Sequence, residues 1–183
     1  MNKGKNKKDQ SASAEKTVPE VSTALTAKSV KDGKYLTFTL GNEEYGIGIL
    51  VIKEIIGMMP ITTIPQTPEF VKGVINLRGK VIPVVDLRLK FGMASIDYTE
   101  RTCIIVVEIT RHSGTVLMGI VVDAVSEVLN IKSQEIEDTP SFGARLSTDY
   151  ILGMAKIEGA VKILLDINRV LNDEEVALLE QAA

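Results

Sequence analysis

The sequence is short of almost everything that performs chemistry. It has one cysteine, Cys103, and one histidine, His112. A lone thiol closes no internal disulfide, and one cysteine with one histidine assembles no zinc-ligand set, so a structural zinc site is excluded and a reducing compartment is expected. Tryptophan is absent and the aromatic residues together make up 4% of the chain, too few rings for a surface on which nucleic-acid bases stack. Positive charge is not in excess either: 21 Lys and Arg stand against 24 Asp and Glu, a formal net charge of -3. A nucleic-acid partner held through its phosphates is therefore disfavoured. No run approaches the roughly 18 apolar residues that span a bilayer, and the basic start MNKGKNKKDQSASAEK has no apolar stretch behind it to serve as a secretion signal. A cytoplasmic, soluble protein without direct membrane insertion is expected. Phosphate loops of the GKS or GKT kind do not occur, and Gly46-Ile47-Gly48 lacks the third glycine of a dinucleotide fingerprint.

Branched aliphatic residues are what the chain has in quantity. Of 183 residues 45% are hydrophobic, and Val and Ile number 39 against 16 Leu. Branching at Cβ suits a pleated, half-buried sheet, so the composition predicts a mainly β protein with one large or two small cores. Residues 1–33 are poor in large apolar groups and read as a flexible tail. The first 30 residues hold six lysines and three acids, a net of +3, leaving 15 basic and 21 acidic residues, a net of -6, for the part that folds.

From Tyr35 onwards Leu36, Phe38 and Leu40 alternate with polar neighbours, Gly41-Asn42-Glu43-Glu44 makes a turn, and Tyr45, Ile47 and Ile49 alternate again. That pattern predicts a hairpin. The strand from Tyr45 continues through Leu50, Val51 and Ile52, more large aliphatics than one interior absorbs, so some must face outward, with Ile49 and Ile52 as the candidates. A bulge near Gly48 would shift the register by one and exchange the faces.

An internal repeat organises the rest. GVINLRGKVIPVVDL (73–87) lies over GMAKIEGAVKILLDI (153–167) at a constant offset of 80, and the hairpin at 35–49 has a counterpart in 103–122. Ile52-Lys53-Glu54-Ile55 is echoed by Val125-Ser126-Glu127-Val128. Short sheets with exposed edges are protected by curling into barrels. The predicted architecture is two tandem five-stranded β-barrels, a first over about 34–92 and a second over about 100–171, with chain return to the first at the C-terminus left open. Asp86 and Asp166 each stand where a strand gives way to a helix and can cap its first amides. NDEEVALLEQAA predicts a C-terminal helix over about 173–182, capped by Asn172.

Candidate chemistry is thin. Asp86 and Asp166 could be read as the paired carboxylates of a hydrolase, but each is explained by capping and nothing in the sequence brings them together. His112 falls in a turn, and Cys103 in an apolar strand where a free cysteine acts as a small hydrophobe. Glu54 is the sole acid between Ile47 and Ile56, and Arg78 sits at the Asn76-Leu77-Arg78-Gly79 turn, where Gly79 supplies a positive φ. The two are candidates to meet; a solvated strand edge and an ordinary turn arginine explain the spacing equally well. Glu158 replaces Arg78 in the second repeat, so such a pairing belongs to the first half alone.

TLGNEEYGI (39–47), VIKEI (51–55), GVINLRG (73–79), VIPVVDLR (81–88), GIVVDAVSEVL (119–129) and LSTDYILG (146–153), taken in order, closely resemble the CheW-like family of bacterial chemotaxis coupling proteins over about 34–182. The resemblance implies Src-homology-3-like barrels and a non-enzymatic adapter, without cofactor or metal. Its implied partners are the regulatory domain of the CheA histidine kinase and the cytoplasmic tip helices of chemoreceptors. It implies membrane association only through receptor arrays. By position it assigns Glu54, Arg78, Cys103, Val125 and Val128 to the receptor and Ile49, Ile52 and Gly73 to the kinase. Cys103 departs from the family pattern, where a larger aliphatic is commoner. Service in another chemosensory array, such as one governing twitching motility, is the alternative within the class.

Overall fold

Alternating burial shapes the strands of the computed structural model, which describes residues 32–141, 143 and 147–182. The expected tail lies outside these residues except at its end, where Gly33 already pairs with Ile131. The elements are β1 (Gly33–Leu40), β2 (Glu43–Gly48), β3 (Ile52–Gly57), β4 (Val71–Leu77), β5 (Lys80–Asp86), α1 (Leu87–Lys90), β6 (Cys103–Arg111), β7 (Gly114–Val122), β8 (Ala124–Ile131), β9 (Ile136–Glu137), β10 (Ile151–Ile157), β11 (Ala160–Leu165), α2 (Ile167–Val170) and α3 (Asp173–Ala182). They form a mainly β structure with short helices. Among the described residues no helix is long and apolar enough to cross a membrane.

Two sheets result, six-stranded in the order β8-β1-β2-β11-β10-β9 and five-stranded in the order β3-β6-β7-β5-β4. This corrects the expected division into 34–92 and 100–171. Hairpin β1–β2 leaves its own half to join β8–β11, and hairpin β6–β7 joins β3–β5. Each exchanged hairpin is held by a parallel pairing, β2 with β11 and β5 with β7. The links responsible are short: the 3-10 turn Ile49–Val51 after β2 and Asp123 alone after β7. Alternation along a strand reads the same whichever sheet receives it, so periodicity did not reveal the exchange. The sixth strand of the first sheet is the two-residue β9.

The 80-residue repeat persists in fine geometry. β4–β5 slips register between Val71 and Gly73, and β10–β11 between Ile151 and Gly153. Both turns place two residues at positive φ, Arg78 at 51° and Gly79 at 85°, then Glu158 at 50° and Gly159 at 80°. These are two-residue turns with both central residues left-handed, whose twist matches that of the flanking strands. Asp86 and Asp166 cap as expected, accepting from the N–H groups of Leu89 at 3.3 Å and Asn168 at 3.1 Å. Asn172 and Glu175 form a reciprocal cap at the start of α3, each side chain accepting from the other's backbone N–H at 2.8 Å.

Opposite faces of the strands bury separately. Ile104 and Val106 join Ile75, Ile82, Val84 and Val121 in a cluster belonging to the second sheet. Tyr35, Ile131, Ala155 and Leu164 form the smaller equivalent in the first. The intervening residues Leu36, Phe38, Leu40, Ile105, Val107 and Ile109 meet in the largest cluster, shared by both sheets and sealed by Val176 and Leu179 of α3. Each such side chain contributes about 1.5–3 kcal/mol on burial, so the shared core couples the sheets strongly.

Candidate functional site

Arg78 and Glu54 meet. Arg78 stands on the β4–β5 turn and Glu54 on β3, the strand at the opposite edge of the same sheet, and the guanidinium donates two parallel hydrogen bonds to the carboxylate, Nη1 to Oε1 and Nη2 to Oε2, each 2.7 Å. The fork geometry fixes both side chains although Arg78 is 73% exposed. Arg78 holds the Glu54 carboxyl below the usual glutamate value, chiefly through these hydrogen bonds. The pair walls a cleft of about 250 Å³ with Lys53, Lys80, Leu77 and Leu117. In the other repeat the corresponding cleft, about 330 Å³, is lined by Glu44, Glu127, Glu158 and Lys162. Three cations and one anion in the first are matched by three anions and one cation in the second, and Lys162 is buried against Glu44. One backbone geometry thus presents two opposite charge patterns.

Cys103 and Val125 also come together. Cys103 begins β6, half-buried against the shared core; burial raises its thiol pKa, and a backbone hydrogen bond at Val125 opposes that shift. Such a thiol is protonated and weakly nucleophilic at neutral pH. Val125 also packs on the shared core, whereas Val128 is 49% exposed on the edge strand β8.

The expected outward strand behaves differently. It breaks after Gly48, and Ile49 and Ile52 both pack partly against the shared core, leaving Leu50 outward at 93% exposure. The face signal was legible in part: Ile47 is buried in β2, whereas in β3 the shielded positions are Ile52, Glu54 and Ile56. Inward positions are odd before the turn and even after it, a phase change that requires a break where Leu50 stands.

Gly73 lies against backbone. At φ +136° it passes so close to the chain after β3 that a β-carbon would lie 2.0 Å from the Thr62 carbonyl oxygen. Thr62 and Val74 exchange hydrogen bonds of 2.8 and 2.9 Å at this crossing. Asp86 and Asp166 each cap their own helix, His112 lies in the β6–β7 turn, and among the described residues no group of three His, Cys, Asp or Glu is placed to hold a metal.

Two interlocked sheets offering an ion-paired turn, a charged cleft and an exposed aliphatic crossover define a protein-binding scaffold. The CheW-like domain model matches residues 34–175, and the chain belongs to that family. It is 44% identical over 150 residues to Chemotaxis protein CheW of Klebsiella aerogenes, covering 82% of this chain and 88% of the relative. To Chemotaxis protein CheW of Rhizobium meliloti it is 34% identical over 151 residues, covering 81% and 95%. The crystal structure of scaffolding protein TtCheW from Thermoanaerobacter tengcongensis superposes with a TM-score of 0.69 at 35% identity, covering 79% of this chain and 95% of that one. The function follows from membership: a non-enzymatic adapter that couples chemoreceptors to the kinase CheA in chemotaxis signalling.

Proposed function

We propose that the protein couples its partners through two surfaces on a rigid body spanning 34–182, each sheet closing into a Src-homology-3-like barrel, with residues 1–33 dispensable. Receptor tip helices lay an apolar stripe against Cys103, Val125 and Val128 and are read by the Glu54–Arg78 pair, in the helix-in-groove mode. The regulatory domain of CheA docks at the Ile49–Ile52 crossover, with Leu50 as its outward anchor and Gly73 shaping the neighbouring turn. The assembly operates at the membrane only through its partners. An adapter of this kind transmits signal by binding the states of its partners unequally, without bond chemistry.

The observation that supports this reading best is the bidentate Arg78–Glu54 pair, exposed, preorganised and lost in the second repeat, where Glu158 stands in the arginine's place. A pair this exposed has little to do for the fold, yet a reversed charge at an interface repels the partner. Arg78→Glu is expected to melt as the wild type while losing receptor-dependent kinase activation in a reconstituted array. Normal activation by that variant would refute the assignment.

A further inference from the structure

The two links between the sheets are built differently. One is the exposed Ile49–Val51 turn. The other is Asp123 alone, between Val122 at the end of β7 in the second sheet and Ala124 at the start of β8 in the first. Its N–H donates to the carbonyl of Thr39 at 3.1 Å, and its Oδ2 accepts from the Gly41 N–H at 2.7 Å and from Arg88 Nη1 at 2.7 Å. Thr39 and Gly41 form the tip of the β1–β2 hairpin in the first sheet. Arg88 lies on α1, directly after β5 of the second, with its Nε donating to the Ala94 carbonyl at 3.1 Å. One carboxylate therefore ties both sheets at the link.

The side chains of Arg88 and Asp123 are 12% and 20% exposed. Salt screens an ion pair this shielded far less than a surface pair. Desolvation offsets much of its attraction, so its clearest yield is a fixed geometry. The repeat does not copy it. Asn168 stands 80 residues after Arg88 and accepts directly from the Thr110 N–H at 2.8 Å, clamping the tip of the other exchanged hairpin with one neutral bond.

We propose that Arg88 and Asp123 are a positioning pair for signal coupling: they fix the angle between the sheets so that a partner on one is registered against a partner on the other, while the pair itself touches neither. The inference rests on the adapter function. Bias passes between two bound partners only if the body between them holds its shape or switches between defined ones. A loosened joint leaves each binding step intact and removes their coupling.

The test uses the full chain with Asp123→Asn and, separately, Arg88→Gln. Binding to the receptor fragment and to the kinase regulatory domain is measured one at a time and is expected to stay within about twofold of wild type, as for sites remote from the change. Receptor-dependent kinase activation at saturating adapter is expected to fall about tenfold, within the usual range of coupling between sites. The double variant is expected to be no worse than the poorer single, and Arg88→Lys, which keeps the charge, to recover part of the activation. Spin labels at Lys80 and Ala160, one on each sheet in a Cys103→Ser background, should show a broader distance distribution in Asp123→Asn. If Asp123→Asn fails to fold, Arg88→Gln decides alone, since it leaves the Thr39 and Gly41 bonds in place. Undiminished activation at saturation, or a loss matched by weaker binding of one partner, would overturn the proposal. Failure of the adapter reading would show instead as a wild-type protein that activates nothing.

Discussion

Replacing Gly73 by alanine separates a contact residue from a structural one. The added β-carbon would sit 2.0 Å from the Thr62 carbonyl oxygen and 2.7 Å from its carbon, both backbone atoms with no rotamer to escape into. The crossing must open, and with it the two Thr62–Val74 hydrogen bonds of 2.8 and 2.9 Å. Each is worth roughly 0.5–1.5 kcal/mol net, and an L side chain held at φ +136° adds strain on the order of 1–3 kcal/mol, giving about 2–6 kcal/mol in all. Gly153 in the other repeat is the internal control. Its β-carbon would meet Ile136 Cγ2 at 2.6 Å and the Glu137 carbonyl oxygen at 2.8 Å without a left-handed backbone, so Gly153→Ala is expected to cost about 1–3 kcal/mol, as overpacking does. Urea unfolding followed by circular dichroism measures both, with calorimetric titration of the kinase regulatory domain alongside. Any loss of kinase affinity in Gly73→Ala should accompany the loss of stability. A variant that melts like the wild type yet binds the kinase poorly would make Gly73 a direct contact and refute the reasoning, as would Gly153→Ala proving the costlier change.

The Glu54 carboxyl, followed by carbon-detected NMR, should titrate below the ordinary glutamate range and move back up in Arg78→Ala. Because the folded-state value is lowered, the charged pair is complete above the unfolded value and is lost only as pH falls through the folded one; a Glu54 that titrates normally would mean the fork does not form in solution. Leu50→Asp should weaken kinase-domain binding roughly tenfold to thirtyfold with an unchanged melt, since the side chain is 93% exposed, and unaltered affinity would remove the kinase from the crossover.

Much of the fold was legible because the repeat was. Turn residues Arg78–Gly79 and Glu158–Gly159, caps Asp86 and Asp166, and helix α3 each rest on interactions within a few residues, which composition and spacing report directly. The meeting of Glu54 with Arg78 was half legible: a lone acid and a turn arginine of opposite charge made it a candidate, but β3 and β4 lie at opposite edges of their sheet, and only the tertiary structure brings the two side chains into reach. The destination of each hairpin was not legible. β1 is buried on both faces, with Tyr35 and Thr37 on one side and Leu36 and Phe38 on the other, and the sequence pattern does not say which sheets supply the two covers. Which aliphatic after Gly48 faces outward was not legible for a related reason: alternation holds only while the strand does, and the chain there turns out of one sheet into the other and presents Leu50.

The exchanged hairpins also bear on how a one-chain protein came to offer two unlike surfaces. Two copies of a half, each lending a hairpin to the other's sheet, constitute in symmetry terms a closed two-fold dimer written on a single polypeptide. A dimer of separate identical chains must change every surface twice, once per subunit, so any site it gains for one partner appears again on the opposite side. Covalent fusion lifts that constraint. Arg78 can remain while Glu158 takes the equivalent turn, Lys80 can stand where the other repeat has Ala160, and Arg88 can reach an aspartate where Asn168 reaches a backbone amide. The intertwined strands keep the halves from drifting apart as they diverge, because neither sheet is complete without a hairpin from the other half. Joining two different proteins requires such asymmetry, and this architecture supplies it without surrendering the shared core.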